Sequence, residues 1–88
     1  ASLNYPIYDI KVNIYGTVNT LECCRDFNVK RILFLSSTEV YGNACLKGSD
    51  GEAVPEPDTF YGVSKYASEC YVKMYCRMYG VDYTILKL

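Results

Sequence analysis

Apolar residues recur at spacings of three and four along the first segment of the chain. The series begins just after Pro6, a residue suited to a first helical turn, and comprises Ile7, Ile10, Ile14, Val18, Leu21 and Cys24. This spacing predicts an amphipathic helix that ends near Asn28. The short apolar run from Arg31 to Leu35 has the length of a strand, and its continuous hydrophobicity predicts a strand buried on both faces.

The middle of the chain is polar, and the last third returns to regular patterns. Five glycines and prolines, Gly42 included, lie in the stretch from Gly42 to Thr59, and they predict a long loop. Asp58 or Thr59 can cap a second helix and Gly80 can end it. The run from Tyr83 to Leu88 predicts a second strand. Within this second helix, a stripe of residues at helical spacing is expected to pack on the sheet: Val63, Tyr66, Ala67, Cys70, Tyr71, Met74 and Met78.

The order helix, strand, helix, strand predicts the fold class. Two strands joined through a helix pair in parallel with a right-handed crossover, so we expect an α/β sheet in one small domain. Both helices also carry apolar residues away from their main stripes and therefore need two neighbours. These neighbours are either other parts of a larger protein or a second copy in a homodimer formed through the two helices. The residues concerned are Tyr8, Val12, Tyr15, Val72, Tyr75 and Tyr79.

Composition and charge exclude several kinds of partner and site. Nine Lys and Arg oppose ten Asp and Glu, for a net charge of −1, so no basic surface is expected to bind nucleic acid. No apolar run reaches the roughly 18 residues that a membrane span needs, and a cytoplasmic protein is expected. Five cysteines form no C-x-x-C pair and histidine is absent, which argues against a metal site and for reduced thiols.

Tyr61 and Lys65 form the first candidate catalytic pair. Four residues apart, they lie on one face of the predicted second helix, about 6 Å apart along its axis. A nearby ammonium stabilises a phenolate, so the pair can act as a base in a chain without histidine. We expect the pair to face away from the sheet, opposite Val63 and Met74. The same spacing is also common for an exposed tyrosine beside a salt-bridging lysine.

Polar side chains follow the first predicted strand. Ser36, Ser37, Thr38 and Glu39 come where the carboxyl ends of parallel strands open onto ligand crevices. Such a cluster is also typical of local turn and capping hydrogen bonds.

Three motifs, in this order, resemble those of the extended short-chain dehydrogenases, the nucleotide-sugar epimerase and dehydratase group. The first is N-x-x-G-T-x-N-x-L from Asn13 to Leu21, the second is the run from Ile32 to Gly42, and the third is Y-x-x-x-K from Tyr61 to Lys65, followed by Ser68 and Glu69. The resemblance implies a partial Rossmann-like doubly wound parallel sheet, with residues 1–88 forming its catalytic half. The Gly-rich cofactor half and the carboxyl-terminal substrate region of the family are not expected in this chain.

The resemblance also implies roles for the candidate residues. Ser37 would hydrogen-bond the sugar hydroxyl that is oxidised, and Tyr61 would take its proton while hydride passes to the nicotinamide. Lys65 would tune Tyr61 and, like Tyr61, bind the cofactor, NAD or NADP. Asn13 and Ser36 would also contact the cofactor. The implied substrate is a nucleotide sugar.

Thr38 and Glu39 match an extra acid/base pair that dehydratases and decarboxylases of the family carry, which favours those reactions. A glutamate that only caps the loop is equally compatible. Lys87 stands where arginine is usual. Two alternatives remain open: a family member acting on a steroid or alcohol, and a non-catalytic dimerising remnant. By either enzymatic interpretation the 88 residues alone are expected to be inactive.

Overall fold

The structure is a computed structural model, and it describes residues 5–42 and 54–88. The elements in chain order are α1 (Pro6–Asp9), a π-helical segment (Ile10–Tyr15), α2 (Gly16–Asp26), β1 (Arg31–Ser36), a 3₁₀ helix (Thr38–Tyr41), α3 (Phe60–Tyr79) and β2 (Asp82–Lys87). The predicted order of helix, strand, helix and strand is confirmed. Most of the predicted loop between Gly42 and Thr59 lies outside the described residues.

The first helix is one continuous stretch that changes its winding. The junction residues Asp9, Ile10, Tyr15 and Gly16 all have right-handed helical backbone angles. A π-helical turn holds more residues than an α-helical turn and so shifts the direction of the following side chains. The predicted apolar stripe therefore splits: Leu21 is buried in the core, whereas Ile7 and Ile10 are exposed.

The two strands form a parallel sheet, which confirms the α/β class. Their register pairs Arg31 with Asp82 at one end and Ser36 with Lys87 at the other. The core consists of Leu21, Val72 and Cys76, and Ile32 and Phe34 of β1 pack against it. The prediction that both faces of β1 are buried is wrong within the described residues. The helices cover the face that carries Ile32 and Phe34, whereas Leu33 and Leu35 on the other face are exposed.

Helix α3 packs through the face opposite to the one predicted. Its buried residues are Gly62, Ser64, Ser68, Glu69, Val72 and Cys76. Five members of the predicted stripe are exposed instead: Val63, Cys70, Tyr71, Met74 and Met78. Hydrophobicity did not identify the buried face because half of it is polar. The Ser68 and Glu69 side chains on this face form hydrogen bonds inside the fold.

Both predicted caps of α3 are confirmed. The Thr59 hydroxyl accepts a hydrogen bond from the Gly62 amide at 2.9 Å, which satisfies one of the free amides of the first turn. Gly80 ends the helix in a left-handed conformation with φ 67°, which glycine adopts without steric cost.

Candidate active site

A pocket of about 430 Å³ opens where the first helix, the end of β1 and the start of α3 meet. Its lining comprises Tyr8, Asp9, Val12, Asn13, Ser37, Glu39 and Tyr61. Four residues predicted from three sequence motifs, Asn13, Ser37, Glu39 and Tyr61, thus share one cavity. Ligand pockets of proteins commonly hold about 300 to 1,000 Å³, so the cavity is large enough for part of a small-molecule ligand.

Ser37 follows β1 and begins the 3₁₀ helix. Its hydroxyl oxygen accepts a hydrogen bond from the Glu39 amide at 3.1 Å, and the residue is 8% exposed. The cap uses the oxygen as an acceptor, and the hydroxyl hydrogen can still be donated to a group in the pocket. The capping interpretation and the binding interpretation of Ser37 are therefore compatible.

Tyr61 reaches the pocket from the first turn of α3 because the helix begins directly against the 3₁₀ helix. A Cβ atom at Gly62 would lie 2.5 Å from the Glu39 carbonyl oxygen, so only glycine allows this approach. The close contact places Tyr61 beside the backbone that carries Ser37 and Glu39.

Lys65 contacts the sheet, and the prediction that it faces away from the sheet is wrong. Its Nζ donates a hydrogen bond to the Leu35 carbonyl at 2.9 Å and lies 4.9 Å from the Phe34 ring centroid. Burial lowers the pKa of the Lys65 ammonium, and the negative charge of Glu69 opposes that effect. Lys65 borders a second groove of about 400 Å³, which shares Val12 and Asn13 with the Tyr61 pocket.

Glu39 belongs both to the pocket and to the cap of α3. Its Oε1 accepts a hydrogen bond from the Thr59 hydroxyl at 2.8 Å, and Thr59 in turn caps the helix. Thr38, the residue predicted to act with Glu39, is exposed and does not line the pocket. Its amide donates to the Leu88 carbonyl at 3.2 Å.

Asn13 and Ser36 were both predicted to contact a cofactor, but they have different surroundings. Asn13 lines the pocket, and its backbone carbonyl accepts a hydrogen bond from the Ser68 hydroxyl at 2.7 Å. Ser36 does not line the pocket. Its hydroxyl is buried and donates to Glu69 Oε2 at 2.5 Å.

The sequence interpretation assigned no role to two buried acidic residues, one in the pocket wall and one close to it. Asp9 is a buried residue of the pocket wall, and Glu69 is buried next to Ser36. A signal was present for both, because Asp9 precedes Asn13 by four residues and Glu69 follows Lys65 by four. This spacing puts each acid on the same helical face as a residue already singled out.

Within the described ranges 5–42 and 54–88, no helix is long and apolar enough to cross a membrane. The same ranges hold no group of three or more Cys, Asp and Glu side chains arranged to bind a metal ion.

Comparison with known proteins gives a consistent result over the whole chain. Residues 1–88 match the profile of the family described as NAD dependent epimerase/dehydratase family. The chain is 40% identical over 87 residues to a Methanocaldococcus jannaschii protein named "Putative UDP-glucose 4-epimerase", covering 98% of this chain and 28% of that protein. It is 34% identical over 76 residues to human dTDP-D-glucose 4,6-dehydratase, covering 86% of this chain and 22% of the human protein.

A solved structure supports the same relationship. The UDP-glucose 4-epimerase of Thermus thermophilus, in complex with NAD, superposes with a TM-score of 0.76 at 32% identity, over 93% of this chain and 27% of the enzyme. The chain therefore spans only about a quarter of the length of the proteins it matches.

Proposed function

The chain belongs to the NAD dependent epimerase/dehydratase family, and on that premise we propose that its pocket oxidises a hydroxyl group of a nucleotide sugar, with NAD as the hydride acceptor. The observation that carries the proposal is that Ser37 and Tyr61 line one cavity. They come from different elements, 24 residues apart in sequence, and supply the hydroxyl and the phenol that removal of an alcohol proton requires.

The roles of the polar residues follow from their positions. Tyr61 takes the proton of the sugar hydroxyl, and Ser37 donates a hydrogen bond that orients that hydroxyl. Lys65 uses one of its three N–H donors on Leu35, and it lies about one helical turn from Tyr61. Its remaining donors suit the ribose hydroxyls of the cofactor.

The pocket also fits the nicotinamide end of NAD by the chemistry of its donors and acceptors. Asn13 offers a carboxamide, and Tyr61 and Ser37 offer hydroxyls, in a cavity of about 430 Å³. When bound, NAD supplies the ring that accepts the hydride. The residues that would hold it are Asn13, Tyr61 and Lys65, whereas the hydroxyl of Ser36 is already used by Glu69.

Glu39 favours a reaction with an additional proton transfer, as in a dehydratase or decarboxylase. Its side chain lines the same cavity as Ser37 and Tyr61, where a carboxylate can accept or return a proton. Thr38 is the weaker member of the proposed acid/base pair because it lies outside the pocket lining. In the full-length gene product, Glu39→Gln should reduce elimination from a dTDP-sugar more than oxidation of the sugar hydroxyl.

The central test is Tyr61→Phe in the full-length gene product, assayed with UDP- and dTDP-sugars and with simple alcohols. The change removes only the phenol oxygen, so turnover should fall by a factor of about 100 to 10,000 while NAD affinity stays nearly unchanged. Tyr71→Phe on the exposed face of the same helix is the matched control and should retain turnover. Unchanged turnover in Tyr61→Phe would reject the assignment of the base. Preference for alcohols would reject the nucleotide sugar.

We also propose that a second copy of the protein covers the exposed face of α3, forming a homodimer. The face presents five apolar residues along one side of the helix, including Met78 at 66% exposure, and Met and aromatic residues are enriched at interface cores. Sedimentation of the full-length protein tests this proposal. Met74→Glu should dissociate the dimer, whereas Lys73→Glu, one position away, should not. A wild-type monomer would mean that another part of the protein covers the face.

A further inference from the structure

Glu69 is a buried carboxylate in the middle of α3 that lies outside the pocket. It is 2% exposed, and a buried charge is costly unless it is paired and hydrogen-bonded. Its Oε2 accepts a hydrogen bond from the Ser36 hydroxyl at 2.5 Å, and its Oε1 lies 3.7 Å from Lys87 Nζ. Both carboxylate oxygens are therefore tied to the carboxyl ends of the two strands.

Lys87 extends this connection to the 3₁₀ helix. Its Nζ donates a hydrogen bond to the Tyr41 hydroxyl at 2.6 Å, and the residue pairs with Ser36 in the register of the sheet. Burial lowers the pKa of Lys87, but its contacts with Tyr41 and Glu69 outweigh burial and raise the pKa overall. Lys87 is therefore a cation at neutral pH, and it lies beside the Glu69 carboxyl group.

Ser36 and Tyr41, the two residues anchored in this way, lie at the two ends of the segment that forms one wall of the pocket. Ser36 immediately precedes Ser37, and Tyr41 ends the 3₁₀ helix that contains Glu39. Glu69 holds Ser36 directly and Tyr41 through Lys87. On its own helix, Glu69 follows Lys65 by about one turn and Tyr61 by about two turns. One carboxylate thus connects the helix that carries Tyr61 and Lys65 to both ends of the segment that carries Ser37 and Glu39.

We propose that Glu69, with Lys87 as its cationic partner, is a positioning residue that holds the segment bearing Ser37 in register with Tyr61. The inference rests on the proposed oxidation of a sugar hydroxyl and names the residues that align its two reacting groups. Glu69 touches neither the pocket nor the substrate. It acts by position, where a displacement of about 1 Å can cost a factor of about 100 in rate, and its charge acts in addition on Lys65.

The first test is Glu69→Gln in the full-length gene product, which keeps the shape of the side chain and removes its charge. We expect kcat to fall by a factor of about 10 to 100, while KM for NAD changes little because Glu69 does not line the pocket. Glu69 also raises the pKa of Lys65. Loss of that charge should therefore move the alkaline limb of the pH–rate profile, where Lys65 loses its proton, to lower pH. A purely structural role would lower the rate without moving that limb.

Other charged and titratable groups that face Tyr61 and Lys65 remain unchanged in this variant, so the comparison isolates Glu69. Tyr8 and Asp9 on α1 and Glu39 on the 3₁₀ helix line the Tyr61 pocket, and Cys24 on α2 lines the groove of Lys65. Tyr41 and Lys87 contact each other beside Glu69.

Two controls separate position from charge. Asp82→Asn removes the same charge from the other end of the two strands, where Asp82 makes an exposed ion pair of 3.5 Å with Arg31, and it should change neither kcat nor the pH profile. Lys87→Arg keeps the cation and should retain most of the turnover, whereas Lys87→Met should lower kcat as Glu69→Gln does. Equal activity of the Arg and Met variants would overturn the role of Lys87.

Ser36→Ala keeps the test decisive if Glu69→Gln fails to fold. It removes one hydrogen bond and leaves the ion pair in place, so we expect a lower kcat with an unmoved alkaline limb. Unchanged kcat in Ser36→Ala and in any folded Glu69→Gln protein, together with an inactive Tyr61→Phe protein, would overturn the positioning role alone. A fully active Tyr61→Phe protein would overturn both the proposed function and this inference.

Discussion

The Lys65 ammonium donates a 2.9 Å hydrogen bond to the backbone carbonyl of Leu35. Leu35 lies on β1, two residues before Ser37. This contact therefore ties the helix that carries Tyr61 and Lys65 to the strand that leads into the pocket. The Phe34 ring on the same strand adds a cation–π contact. The lysine that the spacing predicted beside Tyr61 is therefore also a link between α3 and the sheet.

Lys65→Met in the full-length protein should greatly reduce turnover and should not reduce the free energy of unfolding at pH 7. Burial lowers the pKa of Lys65 from its ordinary 10.5, so the folded state disfavours the charged form. As pH rises towards 10.5, the wild-type protein gains stability because Lys65 loses its proton in the folded state before it does so in the unfolded state. The stability advantage of the Met variant should therefore shrink with rising pH.

Urea unfolding at pH 7 and at pH 10 measures this difference. Lys11→Met, at an exposed position of the first helix, serves as the control. Its free energy of unfolding should stay within about 0.5 kcal/mol of the wild-type value. A Lys65→Met protein that is clearly less stable than wild type at pH 7 would show that the hydrogen bond to Leu35 outweighs the cost of burying the charge of Lys65.

Cys76 should resist alkylation in the folded protein. It is 2% exposed and lies in the core, and burial raises the pKa of its thiol, which lowers the fraction of reactive thiolate. Cys23 is exposed, lies outside the proposed dimer face and should be labelled before Cys76 by iodoacetamide. Peptide mass spectrometry at pH 8, with a urea-unfolded sample as reference, measures the order. Early labelling of Cys76 would contradict the packing of α3 on the core.

Gly62→Ala should destabilise the protein and impair the site. The new Cβ would lie 2.5 Å from the Glu39 carbonyl oxygen, so α3 and the 3₁₀ helix must separate, at a cost of about 1 to 3 kcal/mol. Gly16→Ala is the matched control, since its Cβ would approach the Lys11 carbonyl oxygen only to 3.9 Å. In Gly16→Ala, the higher helix propensity of alanine should raise the free energy of unfolding by about 0.5 to 1 kcal/mol. Thermal unfolding of the two variants should therefore shift in opposite directions.

Thr59→Val should weaken both the start of α3 and the placement of Glu39. The hydroxyl accepts from the Gly62 amide at 2.9 Å and donates to Glu39 Oε1 at 2.8 Å, and loss of such a cap costs about 0.5 to 2 kcal/mol. Thr59→Ser keeps the hydroxyl and should stay close to wild type. Unfolding midpoints and the rate of elimination from a dTDP-sugar report the two effects separately. If the Val and Ser variants behave alike, the hydroxyl contributes neither to the stability of the helix start nor to the placement of Glu39.

Local patterns predicted the elements and their ends. Helical spacing, a short apolar run, a capping threonine and a terminal glycine act over a few residues, so the order of elements, Thr59 and Gly80 could all be identified. The parallel pairing of β1 and β2 followed from the helix between them. Motif order along the chain also indicated Ser37 and Tyr61, which share the pocket.

The sequence by itself thus determined the α/β order, the helix caps and the family motifs, because each depends on neighbours along the chain. Only the tertiary structure decided which face of α3 is buried and where Lys65 and Glu69 point. Periodicity defines the faces of a helix, but the choice between them depends on partners that are distant in sequence. Ser36 meets Glu69 across 33 residues and Lys87 meets Tyr41 across 46, and folding must bring these polar groups together before a half-polar face can be buried.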